Sequence, residues 1–290
     1  MGRLRNISNA RTGYGGSAVK GSILYSTLGK RMGGSAGQKI YEAGTTQYYD
    51  IGSRLVSPDG RVFRYAKAGG TLVTSYGCEN ALQTAVTRTY LTVAAAAGAT
   101  SVTFTVAATD GTCALGGNGD GSITVNALVG GYITIEKVIG NVDNTQTRMI
   151  TGNTAVAAGG GTMTVTFDDP LAVAVAASAE YATCIFSPYY NVQSSTYGNA
   201  QTVGVPCMIA GTGQYLWIQT WGPCWVTTQP RVNTELYDGQ VVFRHDGTVD
   251  VPQYDDGTVK WAQHAGFVLS NARGGGHSTG GAFIMLQISP

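Results

Sequence analysis

Charge is what this chain has least of. Only 12% of its 290 residues are Asp, Glu, Lys or Arg, about half the usual quarter. Histidine is scarcer still, with three in all: His245, His264 and His277. No stretch keeps an apolar period of 3.6 residues, so amphipathic helices are not expected. Nor is there a run of about 20 predominantly apolar residues of the kind that crosses a bilayer. Residues 89–109 carry no charge, but Thr, Ser and Gly interrupt them in strand fashion. Basic residues near the start have no apolar segment behind them, so no secretory leader is read and a cytoplasmic start is expected.

Motifs of chemistry are equally thin. The five cysteines (Cys78, Cys113, Cys184, Cys207 and Cys224) are odd in number and scattered, which suits buried free thiols better than a disulfide framework or a zinc site. No P-loop and no dinucleotide fingerprint is present. Gly33-Gly-Ser35-Ala-Gly37 matches the letters of a nucleophile elbow without the strand and helix that the elbow needs. A Ser278–His264–Asp256 set is conceivable, but a triad is a geometry and not a spacing. Gly116–Ser122 alternates oxygen ligands yet lacks the glycine and the final carboxylate of a calcium loop, so it reads as a hairpin turn. Asp168-Asp169 and Asp255-Asp256 are neighbours, which on a strand point to opposite faces. Catalytic residues, cofactors and metals are therefore all expected to be absent.

What is abundant is glycine, at 42 residues, and tyrosine, at 16. Hydrophobic residues make up 43%, enough for a sizeable core. The net charge of +1 hides a division of sign. Residues 1–41 hold seven bases and no acid, which leaves the rest of the chain at −6. Such an asymmetry points to an arm with its own partner, an acidic protein surface or a polyanion, rather than to a uniformly basic nucleic-acid binder. Residues 1–48 are Gly-rich and lack periodicity, and ordering such a segment costs roughly 1–2 kcal/mol per residue. An extended arm, ordered by what it binds, is the expectation.

Past the arm, short alternating runs are separated by turn signals. Arg61-Val-Phe-Arg-Tyr-Ala66 follows the turn at Ser57-Pro-Asp-Gly60. Segments 92–106 and 154–167 echo one another, each a small-residue loop followed by an alternating strand. Between them, 130–138 and 147–151 read as paired strands. Further strands are expected at 240–244, 248–251 and 282–288, while 172–176 is ambiguous between turn and short helix. The whole is read as all-β: a β-sandwich or barrel-like body with an inserted small β module and an extended N-terminal arm. The body takes 49–90 and 182–290, and the module takes 91–181.

The richest segment is Gln214-Tyr-Leu-Trp-Ile-Gln-Thr-Trp-Gly222. Alternation places Tyr215, Trp217, Gln219 and Trp221 on one face and Leu216, Ile218 and Thr220 on the other. Apolar residues at both parities require cover on both sides. Tyr215, Trp217, Trp221 and Trp225 are thus candidates for core, for a subunit interface, or for a platform that stacks sugars.

In order along the chain come Asp59-Gly-Arg-Val-Phe-Arg-Tyr-Ala-Lys-Ala-Gly69, then Phe167-Asp-Asp-Pro-Leu171, Ser187-Pro-Tyr-Tyr-Asn-Val192, Thr202-Val-Gly-Val-Pro206 and the tryptophan-rich strand, with a hydrophobic strand to close. This order resembles the capsid decoration, or cement, proteins of tailed bacteriophages. It covers residues 59–290, and its motifs are those of packing and turns. The resemblance implies a non-enzymatic structural role on the outer surface of the virion capsid, assembled in the host cytoplasm. Its partners would be the major capsid protein and further copies of the chain, as dimer or trimer, without direct contact to nucleic acid or membrane. The arm would act as anchor through Arg3, Arg5, Arg11, Lys20, Lys30 and Arg31, with Tyr14, Tyr25 and Tyr41 as aromatic contacts. Two alternatives stand beside this: a tail or fibre component binding host glycans at the tryptophans, and a polysaccharide-cleaving virion enzyme.

Overall fold

A computed structural model describes residues 22–24, 37–80, 84–111, 119–137, 145–194, 201–229, 232, 239–252, 263–271 and 282–290. Among the described residues there is no helix, and strands organise into two antiparallel, curled sheets. The all-β reading holds. Residues 172–176 form a turn with one bridge residue, Val175, and not a helix.

The larger sheet is built on β13 (Tyr215–Val226). To one side lie β3 (Val62–Lys67), β2 (Arg54–Val56) and β1 (Ser22–Leu24), the last joined in parallel. To the other lie β17 (Ala282–Gln287), β16 (His264–Asn271), β14 (Gln240–Phe243) and β15 (Val249–Asp250). A side branch of β12 (Thr202–Pro206), β4 (Cys78–Asn80) and β11 (Val192–Ser194) leaves from β13.

The smaller sheet runs in the order β5 (Thr84–Tyr90), β10 (Glu180–Ile185), β7 (Tyr132–Lys137), β8 (Gln146–Asn153), β9 (Gly161–Phe167) and β6 (Ser101–Val106). It takes in 84–90 and 182–185, so strand pairing carries it beyond 91–181 at both ends. The two echoing segments are paired with each other: Val102 lies opposite Val165 and Phe104 opposite Met163. Alternation explains why they form strands. Val102, Phe104 and Val106 point inward while the intervening threonines face out, and Met163, Val165 and Phe167 answer them. A bridge from Leu91 to Phe104 brings the two edge strands together, curling the sheet around this core.

Nesting orders three of the bridges in the stretch 72–210. Three isolated bridges join Leu72 to Ala210, Ala95 to Val175, and Ile123 to Val156, each pair inside the last. Each is closed by reciprocal backbone hydrogen bonds, for example Ala95 N–H to Val175 O at 2.9 Å and Val175 N–H to Ala95 O at 2.8 Å. The chain thus runs outward through one arm of every pair and returns through the other.

Phe104 is fully buried at the centre of the smaller sheet's core. Phe104→Ala is expected to lower unfolding stability by about 3–5 kcal/mol. Thr105→Ala, on the solvent side of the same strand, should change it by about 0.5 kcal/mol or less. Urea titration of the two variants measures the contrast.

Candidate interaction surfaces

The aromatic residues of β13 part company along its length. From Leu216 to Thr220 every side chain is buried. Trp217 is fully enclosed, its ring 5.0 Å from that of Tyr65 and 5.2 Å from that of Tyr49. Tyr215 is half-buried and stacks parallel to Tyr65 at 6.0 Å. Trp217 is therefore a core residue, and neither a partner surface nor a sugar platform can use it.

Gln38 locks this cluster. Its side-chain carbonyl accepts the Tyr65 hydroxyl at 2.5 Å, and its amide donates to the carbonyls of Glu42 (2.7 Å) and Tyr215 (2.6 Å). Its backbone carbonyl accepts the Trp217 indole N–H at 3.2 Å. Gly44 adds a two-way bridge to Tyr215. Residues 37–48, read from sequence as the end of the arm, are thus packed onto the body. Of the arm's proposed contacts, only Tyr41 is described: it is exposed, and the Arg61 guanidinium donates to its hydroxyl at 3.4 Å. Arg3, Arg5, Arg11, Tyr14, Lys20, Tyr25, Lys30 and Arg31 lie outside the described residues.

Beyond Thr220 the covering of β13 changes. A register shift between Gln219 and Trp221 precedes the last pair with β3, Trp221 opposite Val62, and from Trp221 on β17 pairs along the opposite edge of β13. Trp225 lies opposite Phe283, and Pro223 opposite Met285, which on its far side faces Phe267 of β16. Trp225 is 45% exposed and Phe267 42%, with Phe283 and Leu269 close behind or level. On the reverse side Cys224, Val226, Ala282, Ile284 and Leu286 are buried in a separate core. This part of the sheet is apolar on both faces, and one of them is open. Its polar margin is His264, which bonds the Gln240 amide through Nδ1 (3.0 Å) and the Gln287 carbonyl through Nε2 (3.1 Å).

Gly266 makes the close approach of β16 to β17 possible. Its φ is +144°, and a Cβ there would stand 1.9 Å from the Met285 carbonyl oxygen. Phe267, Phe283 and Met285 were not singled out from sequence. The signal was present in Ala282-Phe-Ile-Met-Leu-Gln287, apolar at both parities like β13.

The groups considered for catalysis are engaged elsewhere or lie outside the described residues. Asp256, His277, Ser278, Ser35 and Cys113 belong to the latter. Asp168 caps a turn, accepting from the backbone N–H of Met149 and of Asp169, and Asp120 does the same for Ser122. Burial pushes the Cys78, Cys184 and Cys207 thiols well up, and Cys224 up to about 12. Among the described residues no group of three or more His, Cys, Asp or Glu could hold a metal ion. Comparison with family models, curated proteins and solved structures gives no match to this chain.

Gln38→Ala strips hydrogen bonds from one buried hydroxyl and two carbonyls, and is expected to cost about 1–3 kcal/mol in urea unfolding. Burial pushes Tyr65 up to about 12, so the native state holds a proton that the unfolded chain releases near pH 10. This contribution to stability is whole below about pH 10 and is lost as the pH rises toward about 12. Unfolding midpoints across that window should fall in the native protein and fall less in Tyr65→Phe.

Proposed function

We propose that this chain is a non-enzymatic structural protein of a tailed-phage virion. It docks on the outer surface of the capsid and cements neighbouring major capsid protein subunits. The observation that carries this reading is the open apolar face of β13, β16 and β17. Trp225, Phe267, Phe283 and Leu269 all project from adjacent strands of one sheet. Contiguous exposed patches of this kind mark interaction sites, and aromatic residues dominate binding energy in them.

The arm supports the same reading. Its root is held by Gln38 and Gly44 against the body, and β1 pairs with β2 at the edge of the larger sheet, so Arg3, Arg5, Arg11 and Lys20 all precede the first strand of the body. Fully extended, the 21 residues before β1 reach about 70–75 Å, enough to meet acidic patches on a neighbouring subunit. Face and arm together give two linked contacts, and linkage raises affinity by effective concentration.

Copy number in purified particles tests the placement. Hundreds of copies, by quantitative mass spectrometry against the major capsid protein, are expected; a handful would move the chain to the tail, and none would remove it from the virion. Binding of added protein to shells that lack it tests the surface. Trp225→Asp with Phe267→Asp is expected to cost about 2 kcal/mol or more, roughly thirtyfold in affinity. Deleting residues 2–21, which leaves β1 in place, should weaken binding while the body's thermal melt stays unchanged. Undiminished binding by both variants would refute the reading.

A further inference from the structure

Arg61, Arg88 and Arg244 each pair with a carboxylate, and Arg148 spans the carbonyls of Asp169 and Pro170. Arg54 of β2 and Arg64 of β3 are provided for less well. They stand directly opposite one another on antiparallel strands, so both side chains leave the same face of the sheet with Cβ atoms about 4.5–5.5 Å apart. Like charges so placed repel. Among the described residues no carboxylate pairs with either arginine. Asp50, the nearest acid in sequence, gives its backbone carbonyl to the Ser53 N–H.

The Arg64 guanidinium is loosely held. Its Nη1 donates to the Gly52 carbonyl at 3.3 Å and its Nη2 to the Ser289 hydroxyl at 3.4 Å, both longer than a usual N–H···O bond. Its Nε is buried with no partner. The guanidinium also lies 5.8 Å from the centre of the Tyr189 ring, and the Tyr189 and Ser289 side chains are hydrogen-bonded to each other. Gly52 is fixed in place, with a φ of +84° and its N–H on the Tyr65 carbonyl at 2.8 Å. Arg54 makes no hydrogen bond among the described residues. Arg54, Arg64, Tyr189 and Ser289 are all partly exposed, so a solute can reach them. Two opposed cations and a buried donor without an acceptor are costs to the fold. An anion held between the guanidiniums offsets them, placing negative charge where the positive charge is crowded.

We propose that Arg54 and Arg64 form a binding site for a phosphate group that carries two negative charges, with the Ser289 and Tyr189 hydroxyls at its margin. Charge selects this ligand. A guanidinium is a planar fork of five N–H donors that suits carboxylate and phosphate oxygens alike. A carboxylate has one charge and leaves one of the two arginines uncompensated. A phosphodiester, as in the backbone of a nucleic acid, falls short in the same way. A free phosphate or a phosphate monoester carries about −1.5 to −2 at pH 7 and three strong acceptor oxygens, enough for both forks and a hydroxyl. The terminal dianionic group is the same in both sources. β2 and β3 lie across β13 from β17 and β16, so the site is separate from the open apolar face and does not rest on the docking reading.

The experiment is calorimetric titration of the full chain with sodium phosphate at neutral pH, in buffer free of phosphate and sulfate, with thermal melts alongside. Phenyl phosphate, dimethyl phosphate and acetate at matched ionic strength separate the sources and the competing chemistries. Phosphate and phenyl phosphate are both expected to bind at a single site, and dimethyl phosphate and acetate about tenfold more weakly or less well still. Tighter binding of phenyl phosphate marks an ester-borne group as the source, and tighter binding of phosphate a free one. Phosphate at about ten times its dissociation constant should raise the melting temperature by about 2–3 °C. Arg54→Gln removes a side chain with no hydrogen bond to lose. It should raise the melting temperature in phosphate-free buffer, by ending the repulsion, and weaken phosphate binding by about tenfold or more. Arg64→Lys, which keeps the charge without the fork, should weaken binding likewise and decides the matter if Arg54→Gln fails to fold. Trp225→Asp with Phe267→Asp should bind phosphate as the native chain does. No response beyond that of matched chloride would overturn the proposal. So would acetate binding as tightly as phosphate, or undiminished phosphate binding by the Arg54 and Arg64 variants.

Discussion

Every side chain from Leu216 to Thr220 is buried, although alternate residues of β13 point to opposite sides of the sheet. A strand of that kind must be covered twice, and much of the molecule is arranged to do so. On one side Leu216 and Ile218 pack with Leu72, Cys78, Val192, Val203 and Ala210 from the side branch and its loops. On the other, Trp217 packs with Leu55, Phe63 and Tyr65, and residues 37–50 close over them. The remainder of β13 meets the same demand only on one side. Where the cover ends, at Trp221, the open apolar face begins.

Burial rather than charge holds this body together. Its ion pairs are largely exposed, as with Lys39–Glu42 and Asp59–Arg61, and exposed pairs contribute about 0–1 kcal/mol each. Arg244–Asp250 is the more enclosed case, with Asp250 almost fully covered. Few charges also mean little mutual repulsion between copies. The surface threonines offer hydroxyls without net charge, and pair across strands, as Thr103 with Thr164 at 2.9 Å. Such a surface stays wet while tolerating close neighbours.

How much of this was legible in the sequence depended on how local the cause was. Alternation in 101–106, 132–137 and 161–167 is sufficient to mark strands, because inward and outward residues differ so sharply there, while 215–222 is marked by apolar residues at both parities. Which strand pairs with which is a non-local matter: nothing in Thr84–Tyr90 names β10 as its neighbour. The fate of the tryptophans turns on which residues lie over each end of β13, and those residues come from distant parts of the chain. Trp217 and Trp225 share a parity, yet one is core and the other surface. Gln38 was passed over because a glutamine in a Gly-rich leader looks solvated. Only the positions of Tyr65, Trp217 and Tyr215, distant in sequence, make it a buried residue whose side-chain amide and backbone carbonyl are engaged.

The nested bridges have a kinetic meaning. Bringing Ile123 to Val156 closes the shortest loop of the three, and once it is closed the ends that must find each other next, Ala95 and Val175, are already near. Each further closure then adds only the short lengths of chain between successive bridges, and the entropy of loop closure grows slowly with length. A protein dominated by distant pairings would ordinarily collapse slowly. This one can assemble as a zipper, from the middle of the chain toward its ends, with β13 and its double cover among the last parts to close.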